Sequence, residues 1–198
     1  MRWTPLALFA LFHALVWLRL ALHRRRTGRS GNFLRAGRTP FARLRALGFQ
    51  LLVITTWIQC LRAAAGRIEI APEAWLRALG LVLGAGGTLL MFVAQLQLGE
   101  SWRIGIEEAA RPGLVARGMY RWSRNPIFLW MIVSWIGLAL LLFDPVVGSV
   151  ALLLALGVRT QVREEERWLC ESYGAGYREY AARVGRFLPG IGRLRDPG

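Results

Sequence analysis

The stretch IFLWMIVSWIGLALLLFDPVVGSVALLLALGV, residues 127–158, is apolar except near its middle, where Asp144 precedes Pro145. An Asp-Pro pair is typical of a turn, so the stretch divides into legs of 17 and 13 residues. At 1.5 Å per residue the legs are about 25 and 20 Å long, slightly short of the roughly 30 Å core of a bilayer. This predicts a tight helical hairpin. Its second leg should run on past the membrane surface as one helix, because no proline follows until Pro189.

Three apolar segments precede the hairpin, at residues 3–22, 46–65 and 75–98. Each has the roughly 20 residues that a helix needs to cross a bilayer. The sequence therefore predicts an all-α integral membrane protein with about five transmembrane helices. Two regions are expected: three spans in residues 1–98, and in residues 99–198 a loop, the helical hairpin and cytosolic C-terminal helices.

The third apolar segment contains Gly80, Gly84, Gly86 and Gly87. A glycine-rich string can cradle a phosphate when it joins a strand to a helix, but no strand is predicted before this one. Small residues inside an apolar helix instead allow neighbouring helices to approach closely. We therefore expect these glycines to serve helix packing.

The composition argues against a soluble globular protein. Apolar types make up 55% of the 198 residues, and 26 basic residues against 12 acidic ones give a net charge of +14. All 26 are arginine, and they lie mainly between the apolar runs. A nucleic-acid-binding protein would also be basic, but this layout is that of charged loops flanking membrane spans. No nucleic-acid partner is expected.

The arginines also predict an orientation. Eight lie in residues 23–45, five in residues 100–125 and eight after residue 158, whereas the link at residues 67–73 is far less basic. Basic loops stay in the cytoplasm, so these three segments are expected inside and the N-terminus outside. We therefore expect a protein of a bacterial inner membrane, with any active site formed by these segments on the cytoplasmic side.

Cysteine and histidine usage predicts neither a disulfide framework nor a metal site. Cys60 lies in an apolar run and Cys170 in a charged segment, so the two are expected in different environments. The sequence contains no CxxC motif and no histidine cluster.

Two polar stretches, residues 98–128 and 163–189, flank the hairpin and should meet at one membrane face. In the first, Asn125 suits the N-cap and Pro126 the first turn of a helix. The unpaired N–H groups of such a turn, with Arg124 beside them, suit a carboxylate or phosphate. The same spacing also fits a plain N-cap with an interfacial arginine.

The second stretch contains three successive glutamates, Glu164, Glu165 and Glu166. They point about 100° apart on a helix, so at most two can face one pocket. They could form a solvated face, with i,i+3 pairs to Arg163 and Arg167. An acidic cluster above a strongly basic membrane face is costly, however, and this favours binding of a cation.

In their order along the chain, these stretches resemble the isoprenylcysteine carboxyl methyltransferase and phospholipid methyltransferase families of integral membrane enzymes. Members carry a pattern like LVxxGxYxxxRHPxYxG, then a helical hairpin, then EE with a nearby arginine, then FGxxYxxYxxxVxRxxP. Here residues 114–130 read LVARGMYRWSRNPIFLW and residues 164–189 read EEERWLCESYGAGYREYAARVGRFLP. The ordered match covers about half of the chain.

The resemblance implies S-adenosylmethionine as the cofactor, bound at the cytosolic face by the loop, the start of the hairpin and the acidic helix. Its carboxylate suits the helix N-terminus and Arg124, and its ammonium suits Glu165. By matching position, the expected cofactor-binding residues are Pro112, Gly113, Leu114, Val115, Tyr120, Arg124, Asn125, Pro126, Ile127, Phe128 and Glu165.

The sequence departs from the family pattern on the acceptor side. Asn125 replaces the usual histidine and cannot titrate near neutrality, which excludes histidine base catalysis. Trp130 replaces a small glycine, so the acceptor side is expected to be narrower. Gln161 replaces an arginine that meets the substrate carboxylate in the prenylcysteine enzymes. Arg159 or Arg163 could substitute for it, so these three are the candidate substrate-binding residues.

We expect methyl transfer to a lipophilic acceptor that enters from the lipid. A carboxylate or thiolate needs no base, whereas an amine must lose a proton, for which Glu164 and Glu166 are the candidate catalytic residues. A lipid-soluble carboxylate, a phospholipid amine and a small hydrophobic thiol stay open as acceptors. A nicotinamide-dependent reductase of the sterol type and a non-catalytic membrane module are the alternative functions. The oligomeric state is left open, and membrane lipids are the other expected partners.

Overall fold

The computed structural model describes residues 1–28, 40–99 and 114–194. Within these ranges the chain forms helices joined by turns and short loops, as predicted. The helices are α1 (Thr4–Thr27), α2 (Pro40–Ala64), α3 (Ala74–Gln97), α4 (Pro126–Leu142), α5 (Pro145–Tyr173) and α6 (Ala175–Arg183). A short 3-10 helix, Gly118–Arg121, precedes α4.

Four of these helices are long and apolar enough to cross a membrane: α1, α2, α3 and α5. The remaining helix of the hairpin, α4, is shorter, with 17 residues, and Ser134 is its one polar side chain. The 29 residues of α5 span about 44 Å at 1.5 Å per residue, well beyond a hydrocarbon core of roughly 30 Å. The predicted integral membrane protein with a hairpin and an extended second leg is confirmed.

The hairpin turn between α4 and α5 is fixed by Asp144. Its Oδ1 accepts a hydrogen bond from the backbone nitrogen of Val147 at 3.0 Å, which caps the N-terminus of α5. The same oxygen accepts one from Nε2 of Gln59 on α2 at 2.9 Å. Phe143 adopts a left-handed backbone with φ of 48°, which ends α4 just before the turn. The turn signal read from the sequence is therefore both a cap and a contact with α2.

The closest helix packing is between α3 and the antiparallel α4. A Cβ atom added to Gly80 would lie 2.7 Å from the backbone nitrogen of Leu141. One added to Gly87 would lie 2.7 Å from the backbone nitrogen of Ser134. Neither position has room for a methyl group, so only glycine allows the two backbones to approach this closely. The predicted packing role is confirmed at these two positions.

Gly84 occupies the middle of the same seam, opposite Gly137. A Cβ atom on Gly137 would overlap the backbone nitrogen of Gly84, and one on Gly84 would overlap the side chain of Leu8 on α1. Gly86 differs, because a Cβ atom there would have no neighbour within 4 Å among the described residues. The expectation that all four glycines serve packing is therefore wrong for Gly86, which lies on another face of α3.

An aromatic cluster holds α1 and α2 against this seam. The ring of Trp135 on α4 lies 5.3 Å from that of Phe9 and 4.9 Å from that of Phe12, both edge to face. Phe9 also lies 5.0 Å from Trp57 on α2. The Trp135 indole nitrogen donates to the Thr56 hydroxyl at 3.2 Å, so its polar atom is satisfied inside the core.

One end of the bundle holds the polar stretches. Here α1, α3 and α5 finish, and α2 and α4 begin; we call it the loop end. Nε of Arg19 donates to the carbonyl oxygen of Gln95 at 3.2 Å, and its Nη2 donates to that of Gly99, which ties α1 to the end of α3. Nη1 of Arg45 lies 2.7 Å from Oε2 of Glu164, which ties the start of α2 to α5.

Candidate functional site

Glu166 is the centre of the polar structure at the loop end. It continues the buried face of α5 and is 5% exposed. Its Oε1 accepts from Nε of Arg124 at 2.9 Å and lies 2.7 Å from its Nη2. Its Oε2 accepts from Nε of Arg186 at 2.9 Å and lies 2.7 Å from its Nη2. These three side chains, the arginine–glutamate joint, connect the loop before α4, the α5 extension and the C-terminal segment.

Arg124 uses all five of its N–H donors inside the protein. Besides the two on Glu166, Nη1 donates to the carbonyl oxygens of Ala181, at 2.8 Å, and of Val184. Nη2 donates to the carbonyl oxygen of Gly192 at 3.0 Å. The guanidinium therefore has no donor left for a ligand. In this geometry Arg124 holds the C-terminal segment, so we propose a positioning role for it in place of the expected contact with the cofactor carboxylate.

Backbone contacts reinforce the joint. The Arg124 amide donates to the carbonyl oxygen of Gly185 at 2.9 Å, and Nδ2 of Asn125 donates to that of Arg186 at 3.1 Å. Asn125 does stand at the N-cap position of α4, but its side chain makes no capping hydrogen bond. The predicted side-chain cap is therefore wrong, because the amide binds the C-terminal segment. Gly185 is required there, since a Cβ atom would overlap the carbonyl oxygen of Leu188.

The first turn of α4 faces the loop end with its backbone donors. Pro126 is buried at the first helical position and has no N–H group. The first intrahelical bond runs from the Leu129 amide to the carbonyl oxygen of Asn125, at 3.1 Å. The amides of Ile127 and Phe128 precede it, so helical geometry gives them no acceptor within α4. The side chains of both residues are half-buried and pack against the edge of the hydrophobic core.

Tyr120 joins the 3-10 helix to the end of α3. It is 5% exposed, and its hydroxyl donates to the carbonyl oxygen of Ala94 at 3.3 Å. Its own carbonyl oxygen accepts from the hydroxyl of Tyr180 at 2.6 Å. Burial, with a smaller contribution from the Glu165 carboxylate, raises the pKa of Tyr120. The phenol is therefore neutral at physiological pH.

The glutamates do not form the local pairs that a solvated face would give. Glu164 pairs with Arg45 of α2 instead of Arg167, and Glu166 pairs within the joint instead of with Arg163. Glu165 lies between them and is half-buried. The three carboxylates therefore belong to three different environments.

The other expected site residues lie outside the arginine–glutamate joint and differ in how far they are buried. Val115 is half-buried and Leu114 is 37% exposed. On α5, Gln161 is half-buried, whereas Arg159 and Arg163 are exposed. Pro112 and Gly113 lie outside the described residues.

Sequence reasoning missed three residues at this end of the bundle: Arg186, Arg19 and Gln95. Arg186 matches the arginine of the VxRxxP pattern, which could have signalled its importance. Arg19 is a charged residue inside an apolar helix, a feature that usually marks a buried polar contact. In the described ranges, no group of three or more His, Cys, Asp or Glu residues could hold a metal ion.

Comparisons with known proteins agree with this architecture. The family model for PEMT, phospholipid methyltransferase, matches residues 75–176. A protein-S-isoprenylcysteine O-methyltransferase of Rattus norvegicus is 29% identical over 149 residues, which are 74% of this chain and 52% of the relative. The corresponding protein of Homo sapiens is 28% identical over the same shares of the two chains. The chain thus spans about half the length of these curated relatives.

A solved structure has the same fold. It is the eukaryotic intramembrane Ras methyltransferase ICMT, isoprenylcysteine carboxyl methyltransferase, with a TM-score of 0.68 and 22% sequence identity. The superposition covers 96% of this chain and 67% of that chain, so it includes the two N-terminal helices that precede the family match.

Proposed function

Since this chain belongs to the phospholipid methyltransferase family, we propose that it is an S-adenosylmethionine-dependent methyltransferase acting at the membrane on a lipophilic acceptor. The observation that carries the proposal is the arginine–glutamate joint. It brings together the two polar stretches that carry the family pattern, at the end of the bundle where α4 begins. In this proposal the loop end faces the cytoplasm, because most of the arginines flank the helices there.

The residues at the loop end fit a zwitterionic sulfonium nucleotide. The first-turn amides of Ile127 and Phe128 suit its carboxylate, since a helix N-terminus carries partial positive charge. The Glu165 carboxylate suits its ammonium. Tyr120 supplies a neutral aromatic wall, and Val115 supplies an apolar one. S-adenosylmethionine would supply a methyl group on a good leaving group, so the protein needs mainly to bind, orient and exclude water.

The joint positions these groups without contacting the cofactor itself. Arg124 immediately precedes the N-cap of α4, and Glu166 immediately follows Glu165. The hydrogen bond between them therefore fixes the start of α4 relative to this turn of α5. Both are almost fully buried, so their geometry is held by packing as well as by charge. Removing one partner would leave a buried charge unpaired, which typically costs about 3 to 5 kcal/mol. The carboxylate and ammonium sites are therefore preorganised relative to each other.

The geometry separates the two glutamates expected to accept a proton. Both oxygens of Glu166 are engaged by arginines, so we assign it to positioning and not to catalysis. Glu164 pairs with Arg45 through Oε2, and its side chain is 36% exposed. Glu164 is thus the better candidate for a base, and only an amine acceptor would require one.

We propose a lipophilic carboxylate as the first acceptor to test. The curated relatives carry the name protein-S-isoprenylcysteine O-methyltransferase, and a carboxylate needs no base. Gln161 stands where the family pattern has an arginine. Its neutral amide would bind the acceptor carboxylate less strongly than an arginine would. Phospholipid amines and small hydrophobic thiols are the other two acceptor classes.

Methyl-labelled S-adenosylmethionine tests the proposal directly. Purified protein is reconstituted into liposomes, and N-acetyl-S-farnesyl-cysteine, phosphatidylethanolamine or a hydrophobic thiol is supplied in separate reactions. We expect label in one organic-extractable product, and several-fold less of it from protein carrying Glu165→Gln when S-adenosylmethionine is kept below saturation. Absence of label from all three acceptors, with no binding of S-adenosylmethionine, would overturn the proposal.

A further inference from the structure

Gln95 carries an orphaned acceptor at the end of α3. The residue is 4% exposed, and its Oε1 is buried without a hydrogen-bond partner among the described residues. Its backbone carbonyl is engaged by Arg19, but the side-chain oxygen is not. A buried amide oxygen without a donor is unfavourable, and such groups in native proteins call for an explanation.

The side chains of Thr88 and Gln97, on either side of Gln95 along α3, are satisfied. The Thr88 hydroxyl lies 2.8 Å from that of Ser134, which also donates to the carbonyl oxygen of Gly84 at 3.1 Å. Further along, Oε1 of Gln97 accepts from the Met119 amide at 2.7 Å. Nε of Arg77, near the opposite end of α3, is the other buried side-chain atom of this helix without a partner among the described residues, so Gln95 carries the orphaned group at the loop end of α3.

Gln95 lies opposite the first turn of α4. Gly80 faces Leu141 and Gly87 faces Ser134 along the antiparallel seam. The same register continued toward the loop end brings Gln95 level with Pro126, at the first turn of α4. The Tyr120 hydroxyl binds the carbonyl oxygen of the preceding residue of α3.

Two helix ends of opposite polarity thus lie side by side. The C-terminus of α3 carries partial negative charge, and the N-terminus of α4 carries partial positive charge. Arg19 offsets part of the negative charge at the C-terminus of α3 by donating to two backbone carbonyl oxygens there. An α-amino acid head group has an ammonium and a carboxylate on one carbon atom, and this pair of helix ends is complementary to it.

We propose that Gln95 is a ligand-binding residue whose Oε1 accepts a hydrogen bond from the α-ammonium of S-adenosylmethionine. This inference rests on the proposed function. Gln95 and Glu165 would share the ammonium, while the amides of Ile127 and Phe128 bind the carboxylate. Gln95 lies on the same helix as the tight glycine seam, so the head-group site is built on rigid elements.

The test uses Gln95→Leu in full-length protein in detergent, with isothermal titration of two ligands. S-adenosylhomocysteine has the amino acid head group, and 5′-methylthioadenosine lacks it. We expect the affinity for S-adenosylhomocysteine to fall about tenfold or more, because a hydrogen bond to a charged group is lost. The affinity for 5′-methylthioadenosine should be unchanged. The melting temperature of the ligand-free protein should be unchanged or higher, because an unsatisfied buried oxygen is removed.

Thr88→Val is the matched control, since it removes a satisfied buried hydroxyl from the same helix. It should lower the melting temperature and leave both affinities unchanged. If Gln95→Leu fails to fold, Gln95→Met, an unbranched replacement, takes its place. It should show the same loss of affinity for S-adenosylhomocysteine alone. The inference is overturned by equal losses for the two ligands, or by full affinity for S-adenosylhomocysteine in either variant. Wild-type protein that binds neither ligand would instead refute the proposed function itself.

Discussion

Arg124 and Glu166 are 42 positions apart in the chain, and yet Nε of the first donates to Oε1 of the second at 2.9 Å. The intervening hairpin runs away from the loop end along α4, turns at Asp144 and returns to the loop end along α5. Arg186 completes the contact from the C-terminal segment. One buried carboxylate therefore fixes three separate parts of the chain relative to each other.

Loss of that carboxylate should destabilise the whole loop end. Glu166→Ala leaves Arg124 buried without its counter-charge, and we expect the free energy of unfolding to fall by about 3 to 5 kcal/mol. Thermal or denaturant unfolding in detergent measures it. Glu179→Ala is the matched control, because its pair with Arg183 is exposed and contributes about 1 kcal/mol at most. Equal effects of the two variants would contradict the structural role of Glu166.

Arg124→Lys should be nearly as damaging, although it keeps the positive charge. A lysine has three donors on one nitrogen and cannot reach Glu166 together with the carbonyl oxygens of Ala181, Val184 and Gly192. We expect a loss of about 2 to 3 kcal/mol, from buried carbonyls left unsatisfied. Hydrogen exchange should become faster in α6 and the segment after it. Unchanged exchange there would show that Arg124 does not hold the C-terminal segment.

The glycine seam provides a test of the fold that is independent of the site. Gly87→Ala places a methyl group against the backbone of Ser134 and should cost about 1 to 3 kcal/mol. Gly86→Ala, one residue earlier, meets open space and should be neutral or slightly stabilising, because alanine favours the helix. Melting temperatures of the two variants in the same detergent check this. A stable Gly87→Ala protein would contradict the close approach of α3 and α4.

Gln161 offers a prediction about acceptor choice. If the acceptor is a lipophilic carboxylate, Gln161→Arg should lower its KM several-fold, because an arginine can bind a carboxylate through two parallel hydrogen bonds. Gln161→Met, which is similar in length and uncharged, serves as the control. Steady-state kinetics with N-acetyl-S-farnesyl-cysteine measure the change. An unchanged KM in Gln161→Arg would place the acceptor carboxylate away from this turn of α5.

The architecture was largely predictable from the sequence because it depends on local signals. The apolar lengths defined the spans, and Asp144 with Pro145 marked the turn of the hairpin, which the structure places at the same residues. The arginine distribution identified the polar stretches that meet at the loop end. The joining of those stretches followed from hairpin geometry alone.

The roles of individual polar residues were not predictable in the same way. Three successive glutamates are chemically equivalent in the sequence, and only the packing of α5 decides that Glu166 continues its buried face. Arg124 binds mostly backbone carbonyls, which have no signature in the sequence. The side chain of Asn125 binds across the site instead of capping its own helix for the same reason.

The most direct test of the central claim is titration of the purified protein with S-adenosylmethionine, with NADPH as the competing cofactor. We expect one-site binding of S-adenosylmethionine and none of NADPH. Glu165→Gln should weaken that binding about tenfold or more while leaving the melting temperature nearly unchanged. Glu171→Gln, an exposed change on the same helix, should have no effect. Binding of NADPH instead, or equal affinity in wild-type and Glu165→Gln protein, would contradict a sulfonium nucleotide site at the loop end.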